Sequence, residues 1–509
     1  MKFKILLFFF LTTSLLSFSQ PEIEWQKSLG GSNLDEARSI RQTLDGGYIV
    51  AGHSESNDGD VTGNHGNRDY WVVKLTETGV IEWEKTLGGS DNDWARSVIQ
   101  TSDGGYIVAG GSWSNDGDVI GSHGEQDVWI VKLTPTGTID WQKTYGGSNG
   151  EWANSIYQTS DGGYIFAGFS ISIDGDVTGN HGSTDYWIVK ITETGSLEWQ
   201  KSLGGSMWER ANSIQQTIDG GYIVAGGSPS IDGDITGNHG AHDYWIVKLT
   251  SNGVIEWQKS LGGSSEDSAN SIQEIIGGGY IVSGFSYSND GDVTGNNGDY
   301  DFWIIKLNTT GGIVWQESFG GSNVDGGGQI QQTLDGGFII EGNTYSNDGD
   351  VNGNQGEGDF WIIKISETGD LNWQKTLGGS GYEIPYSIQQ TIDGGFIVAG
   401  ISESNDGDVS GNHGEGDFWI VKLSSYLGVN DNNFNTALLY PNPTNGVINI
   451  NTDDIKAVTF FNSLGKQSYF KELSGKSYTN IDVSHLARGV YTVVISTSNQ
   501  QLVKNLIIK

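Results

Sequence analysis

Seven times along the chain an acidic loop recurs with the spacing of an oxygen-ligand cation site. Its first copy reads Asp58-Gly59-Asp60-Val61-Thr62-Gly63, then five residues, then Asp69. Set against the calcium-loop pattern, it matches at the first, third and sixth positions and, with Asp in place of Glu, at the twelfth. The same acids recur as Asp116, Asp118 and Asp127; Asp174, Asp176 and Asp185; Asp232, Asp234 and Asp243; Asp290, Asp292 and Asp301; Asp348, Asp350 and Asp359; and Asp406, Asp408 and Asp417. Clustered carboxylates and turn carbonyls can supply the roughly six to eight oxygens that a hard cation takes, so calcium is the cofactor this pattern predicts. The competing chemistry is local: Asp and Gly shape turns and cap strands by side-chain-to-backbone hydrogen bonds. The fifth loop position is Thr, Ser or Asn in six copies but Ile120 in one. His65, His123, His181, His239 and His413 share a column, yet Asn297 and Gln355 replace them in two copies, which suits a solvated loop residue better than a ligand.

A second group of residues could recognise a partner. After each Gly-Gly-Ser the sequence varies, from Asn33-Leu34-Asp35-Glu36 to Asp91-Asn92-Asp93-Trp94, Asn149-Gly150-Glu151-Trp152 and Met207-Trp208-Glu209-Arg210. Trp94, Trp152 and Trp208 stand outside the constant tryptophan columns. Aromatics on a varied, acidic face are expected anchors for a glycan or a protein. The alternative is that each covers the apolar edge of its neighbour. No nucleophile elbow, zinc-protease helix or phosphate loop occurs, so the reading is a binding protein and not an enzyme. The alternative is a structural surface-layer protein stabilised by calcium; a polysaccharide hydrolase or lyase would need a singular site, and seven similar copies do not single one out.

The elements that position these residues follow from a strict repeat. One Trp column runs Trp25, Trp83, Trp141, Trp199, Trp257, Trp315, Trp373, and a second runs from Trp71 to Trp419 at the same step of 58, without insertion or deletion. Within the first copy, β-branched and aromatic enrichment between turn signals predicts strands at 23–29, 39–43, 48–54 and 69–75. Leu44-Asp45-Gly46-Gly47 and Thr76-Glu77-Thr78-Gly79 are tight-turn sequences. Four antiparallel strands repeated seven times predict a seven-bladed β-propeller with almost no helix. The chain starts on an unpartnered Trp strand, 23–29, and the last repeat ends on 417–423. Pairing these two closes the ring and removes the exposed edges, with 23–29 outermost in the last blade. An open solenoid would instead require capping repeats, and the terminal copies are as regular as the middle ones. Both Trp columns read as core. The constant lysines, Lys74, Lys132, Lys190, Lys248, Lys306, Lys364 and Lys422, lie in apolar strands and need carboxylate partners, for which a constant Asp column is the expected source.

Composition sets the setting. The net charge is −35, and residues 21–428 hold 57 acidic against 18 basic side chains. Such a field repels phosphate backbones and excludes nucleic acid as a partner. There is no Cys, which excludes thiol catalysis, Cys-ligated zinc and disulfides. Residues 1–19 read as a signal peptide: Lys2 and Lys4 precede an apolar run that ends in small residues. That run is shorter than the ~20 residues that span a bilayer, and no later stretch is apolar enough to span. The domain reading is then 20–427 propeller, 428–436 an Asn-rich linker, and 437–509 a small β-sandwich domain of short alternating strands.

The last of these resembles a known family. Tyr440-Pro441-Asn442-Pro443 with Gly446, the Leu464-Gly465-Lys466 turn, Asp482-Val483-Ser484 leading to Leu486 and Gly489-Val490-Tyr491, and the basic final strand occur in the order found in the type A C-terminal sorting domain of Bacteroidota proteins. The resemblance implies that the type IX secretion machinery is a partner through 437–509. It further implies passage across both membranes and release or attachment at the cell surface.

Overall fold

The computed structural model describes residues 20–425, 438–440, 444, 446–462, 467–497 and 501–508. The proposed signal peptide, the linker, Pro441-Asn442-Pro443 and Leu464-Gly465-Lys466 lie outside the described residues. The chain forms two compact units, dividing between Gly428 and Val429.

The first unit is seven four-stranded antiparallel sheets. The Trp strand β1 (Ile23–Leu29) precedes the first blade, which comprises β2 (Asp35–Gln42), β3 (Tyr48–Ser54), β4 (Asp69–Leu75) and β5 (Ile81–Leu87), hydrogen-bonded in that order. Three of the predicted strands have the expected bounds, whereas β2 starts four residues earlier than the enrichment suggested. β3 and β4 are buried at every position because each blade is covered on both faces by its neighbours. This is why they read as near-continuous apolar runs and not as alternating ones. The β2–β3 turn depends on Gly46, whose φ of 90° suits glycine, while Asp45 accepts a hydrogen bond from Gly47 N at 3.0 Å.

β1 pairs with Asp417–Leu423, Leu29 opposite Phe418, so the first and last segments share a blade and close the ring as expected. The β2-type strands form the inner wall. There Ser39 Oγ accepts from Val98 N of the next blade at 3.3 Å, and Ser387 Oγ accepts from Ile40 N at 3.2 Å. The Trp71 column is fully buried in all seven blades. The Trp25 column, expected to be core as well, is only half-buried except at Trp373, because these strands are the outer edges; Trp25 meets Tyr48 edge-on at 5.8 Å. The buried Lys74 is held by Asp45 at 3.0 Å and Glu82 at 2.9 Å. In the fifth copy Gly277 replaces that Asp, and Lys306 turns instead to Glu367 at 3.5 Å.

The second unit has strands at Leu438–Tyr440, Val447–Asn462, Gln467–Asp482, Gly489–Thr497 and Gln501–Ile508, in one hydrogen-bonded sheet. Val447–Asn462 shifts register between Asn451 and Ile455, at Asp454 with φ 55°. Its first half pairs with Leu438–Tyr440 and its second half with Gly489–Thr497, while Gln467–Asp482 follows both halves. The fold encloses a core that includes Ile448, Phe460, Tyr491 and Val493.

Candidate functional site

The acidic loops pack against the Gly-Gly-Ser corner of their own repeat. Asp58 Oδ1 accepts from Ser32 N at 2.7 Å, and Asp60 Oδ2 from Gly30 N at 3.3 Å. The same bonds recur from Asp116 and Asp118 through Asp406 and Asp408. The closing acid goes elsewhere. Asp69 Oδ2 accepts from His65 N at 2.8 Å and pairs with His65 Nδ1 at 2.7 Å, so that column is a half-exposed side chain tied to its own loop. Asp69 Oδ1 faces the next blade. A Cβ on Gly88 would stand 2.7 Å from it and 2.5 Å from Asp93 Oδ2, so only glycine fits between the two carboxyls. The three loop acids of one copy are therefore not brought together. Each closing acid instead joins an inner-strand acid of the following blade, giving Asp69 with Asp93, Asp127 with Glu151, and Asp417 with Asp35. Among the described residues no group of three or more acid or His side chains is arranged to hold a metal ion.

These corners are electrostatically loaded. In all seven closing acids (Asp69, Asp127, Asp185, Asp243, Asp301, Asp359, Asp417) Oδ1 is buried with no hydrogen-bond partner. Burial first, and neighbouring acids second, raise Asp35 and Asp93 to about 6 and Asp301 and Asp359 to about 7.

The three tryptophans separate. Trp152 is 5% exposed and packs with Trp94 and Trp113, at ring distances of 5.1 and 5.7 Å. Trp94 is half-buried in the same cluster, beneath Arg68 at 5.2 Å. Only Trp208 is open, at 42%, with the His242 ring 4.2 Å away and tilted by 58° and the Arg210 guanidinium 5.6 Å from its ring. Trp208, Arg210, His242 and Glu266 border a depression of about 190 Å³.

That depression shares Asn212 with a cavity of about 400 Å³ at the mouth of the central channel. This is the site the sequence reading missed. Each inner strand carries a β-bulge, between Ala37 and Ser39 in the first blade and at the equivalent place in the others. The extra residue is turned out of the ladder into the channel. Those residues are Arg38, Arg96, Asn154, Asn212, Asn270, Gly328 and Tyr386, and all seven line the cavity. The signal was present as a varied column between a column that is Ala in five copies and one that is Ser in six, but it was masked by reading the strand from its β-rich half alone. The three amides link blade to blade, as when Asn154 Nδ2 donates to Ala211 O at 2.9 Å. Arg38 reaches Glu36 at 2.5 Å and lies 3.8 Å over the Tyr386 ring. Burial would raise Glu36, but the hydrogen bond to His53 and the Arg38 charge outweigh it and hold Glu36 well below the usual range.

Residues 438–509 match the secretion system C-terminal sorting domain. The chain is thus an exported β-propeller. Its tail is the sorting domain of a type IX secretion substrate, which engages that machinery and marks the protein as secreted or displayed at the cell surface. No helix among the described residues is long and apolar enough to cross a membrane. No curated protein sequence matches the chain. Among solved structures it is similar to the Neurospora crassa Pan2 WD40 domain (TM-score 0.43, 9% identity, 78% of this chain and 95% of that one). It is also similar to Sqt1 from Chaetomium thermophilum (0.41, 11%, 80% and 100%) and to the phage phi92 endosialidase (0.39, 11%, 95% and 87%).

Proposed function

We propose that this protein is an extracellular glycan-binding module whose principal site is the channel mouth with the Trp208 shelf beside it. One observation carries the reading: an exposed Trp, packed against His242 and flanked by Arg210 and Glu266, borders a depression that shares Asn212 with a cavity walled by amide and guanidinium groups. A flat aromatic face with hydrogen-bonding groups at its edge suits a sugar ring. The unequal bulge residues support one principal site over seven equivalent ones. A glycan array probed with the full chain tests this. Binding that falls on Trp208→Ala is expected. An array without binding, or binding indifferent to Trp208→Ala, contradicts it.

The seven partnerless Oδ1 atoms favour a second, structural reading, in which calcium rigidifies the corners between blades. The ligands would be the paired carboxyls, such as Asp69 with Asp93, completed by backbone carbonyls and water. Thermal unfolding with calcium and then with excess chelator tests this, because a cation bound only by the native state raises the melting temperature by mass action. Identical melting curves contradict it.

A further inference from the structure

The chain has 62 acidic residues and only six arginines, yet Arg38, Arg41 and Arg96 all line the channel. Their partners are few. Arg38 is matched by Glu36, and Arg41 Nη1 donates to Ile40 O at 2.7 Å and Ser387 Oγ at 3.0 Å. Arg96 has no carboxylate partner among the described residues. It lies 4.9 Å from the Trp152 ring, and its Nε is buried without a hydrogen bond, as is that of Arg38. Burial, then the adjacent Arg38 charge, lower Arg96 to about 10 against the opposing pull of Glu36, which is itself tied to Arg38 and His53, so Arg96 remains charged at neutral pH without a carboxylate of its own. A half-buried guanidinium with no carboxylate directly paired to it is costly, and a ligand anion would complete it.

The wall of the sixth blade is also singular. Where other copies have Ala51, Ala109, Ala167, Ala225, Ser283 and Ala399, this blade has Glu341. It is fully buried, and Gly328 leaves the space for it, since a Cβ there would lie 2.5 Å from Glu341 Oε1. Oε1 accepts from Gln329 N at 2.8 Å, and Oε2 is buried without a partner. Burial raises this carboxyl to about 7, so near neutrality much of it is a hydrogen-bond donor that does not repel an anion. The cavity is thus lined by the Glu36-paired Arg38 on the first blade, Arg96 without a carboxylate partner on the second, and a run of three amides on the next three, with the buried carboxyl of Glu341 behind the sixth.

We propose that the channel mouth takes an acidic saccharide, its carboxylate or sulfate held by Arg96 with Arg38 and its hydroxyls facing the amides. The inference rests on the glycan reading above and narrows it. An inorganic anion would leave most of a 400 Å³ cavity unfilled, and that volume lies within the ~300–1,000 Å³ range of small-molecule sites. A guanidinium fork suits a planar or tetrahedral oxyanion. A polyanion such as nucleic acid would meet the negative field outside the mouth, whereas one short acidic sugar terminus avoids most of it.

Titration calorimetry on the full chain tests this. Uronate-, sialate- and sulfate-bearing oligosaccharides are each set beside the methyl-esterified or desulfated counterpart, with inorganic sulfate as a further probe. At least one acidic saccharide is expected to bind about tenfold or more tighter than its neutral counterpart. Arg96→Gln should remove that difference, and Arg96→Lys, which keeps the charge but not the fork, should remove part of it. Unchanged melting of Arg96→Lys secures the comparison if Arg96→Gln folds poorly. Equal affinity for acidic and neutral members throughout, or a preference untouched by both substitutions, overturns the inference. So does inorganic sulfate binding as tightly as any saccharide. Neutral glycans that bind in a Trp208-dependent manner would then leave the glycan reading standing, whereas no saccharide binding of any kind removes both.

Discussion

The corners between blades and the mouth of the channel are built on the same strands and behave oppositely. At the corners every copy repeats the same bonds: Asp58 to Ser32, Asp60 to Gly30, Asp69 against the next blade. At the mouth, a few residues along the same inner strand, the bulge position runs through Arg, Asn, Gly and Tyr. Columns that every blade needs for closure cannot drift without loss of the ring. The bulge residue faces empty channel, carries no ladder duty, and is free to specialise. Repetition here marks structure, and departure from repetition marks the surface that discriminates.

Breaking the corner and its core should therefore cost stability, and changing the mouth should not. The largest effect is expected from Trp129→Ala, which empties a fully buried site between two blades; denaturant unfolding should show a loss of about 3–5 kcal/mol. Gly88→Ala comes next. Its Cβ would stand 2.5 and 2.7 Å from two carboxyl oxygens, and a loss of about 1–3 kcal/mol is expected in the same assay. A smaller, global effect concerns pH. Asp35 and Asp93 at about 6, and Asp301 and Asp359 at about 7, hold protons in the folded state that the unfolded chain releases nearer pH 4. The native state binds more protons in that window, so stability from these groups falls as pH rises from about 4 to 7. Melting by calorimetry without calcium should be several degrees higher at pH 5 than at pH 8. If calcium occupies the corners the order reverses in its presence, because protons then compete with the ion. Below about pH 4 the lysine-paired acids such as Asp103, held at about 2, take up protons and the gain is lost. The smallest stability change, within about 0.5 kcal/mol, is expected for Trp208→Ala on its open shelf.

Much of the fold was legible because it is local and periodic. The 58-residue step, the turn at Asp45-Gly46-Gly47 and the unpartnered strand at each end are enough for seven closed blades. The need for a lysine partner was legible too, since a cation in an apolar strand needs an acid, but the partners are Asp45, in a column that Gly277 breaks, and Glu82, and not one constant Asp column. What was not legible depends on register. A spacing of eleven residues from Asp58 to Asp69 resembles a cation loop, but Asp69 opens a strand whose carboxyl points across the blade interface, so sequence neighbours part company. Trp152 looked like an anchor because it lies in a varied segment, yet that segment is already inner strand and the ring is packed against Trp94 and Trp113. The bulge that turns Arg38 and Arg96 into the channel leaves no mark in composition and appears only when strand partners are known.

The central claim is that recognition belongs to one asymmetric mouth and not to seven equivalent loops. Stoichiometry tests it directly. Calorimetric titration of the full chain with the tightest acidic saccharide should give one bound molecule per chain, and Arg96→Gln should weaken that binding about tenfold or more. Seven sites, or several of equal affinity that survive Arg96→Gln, would return recognition to the repeated loops and contradict the account.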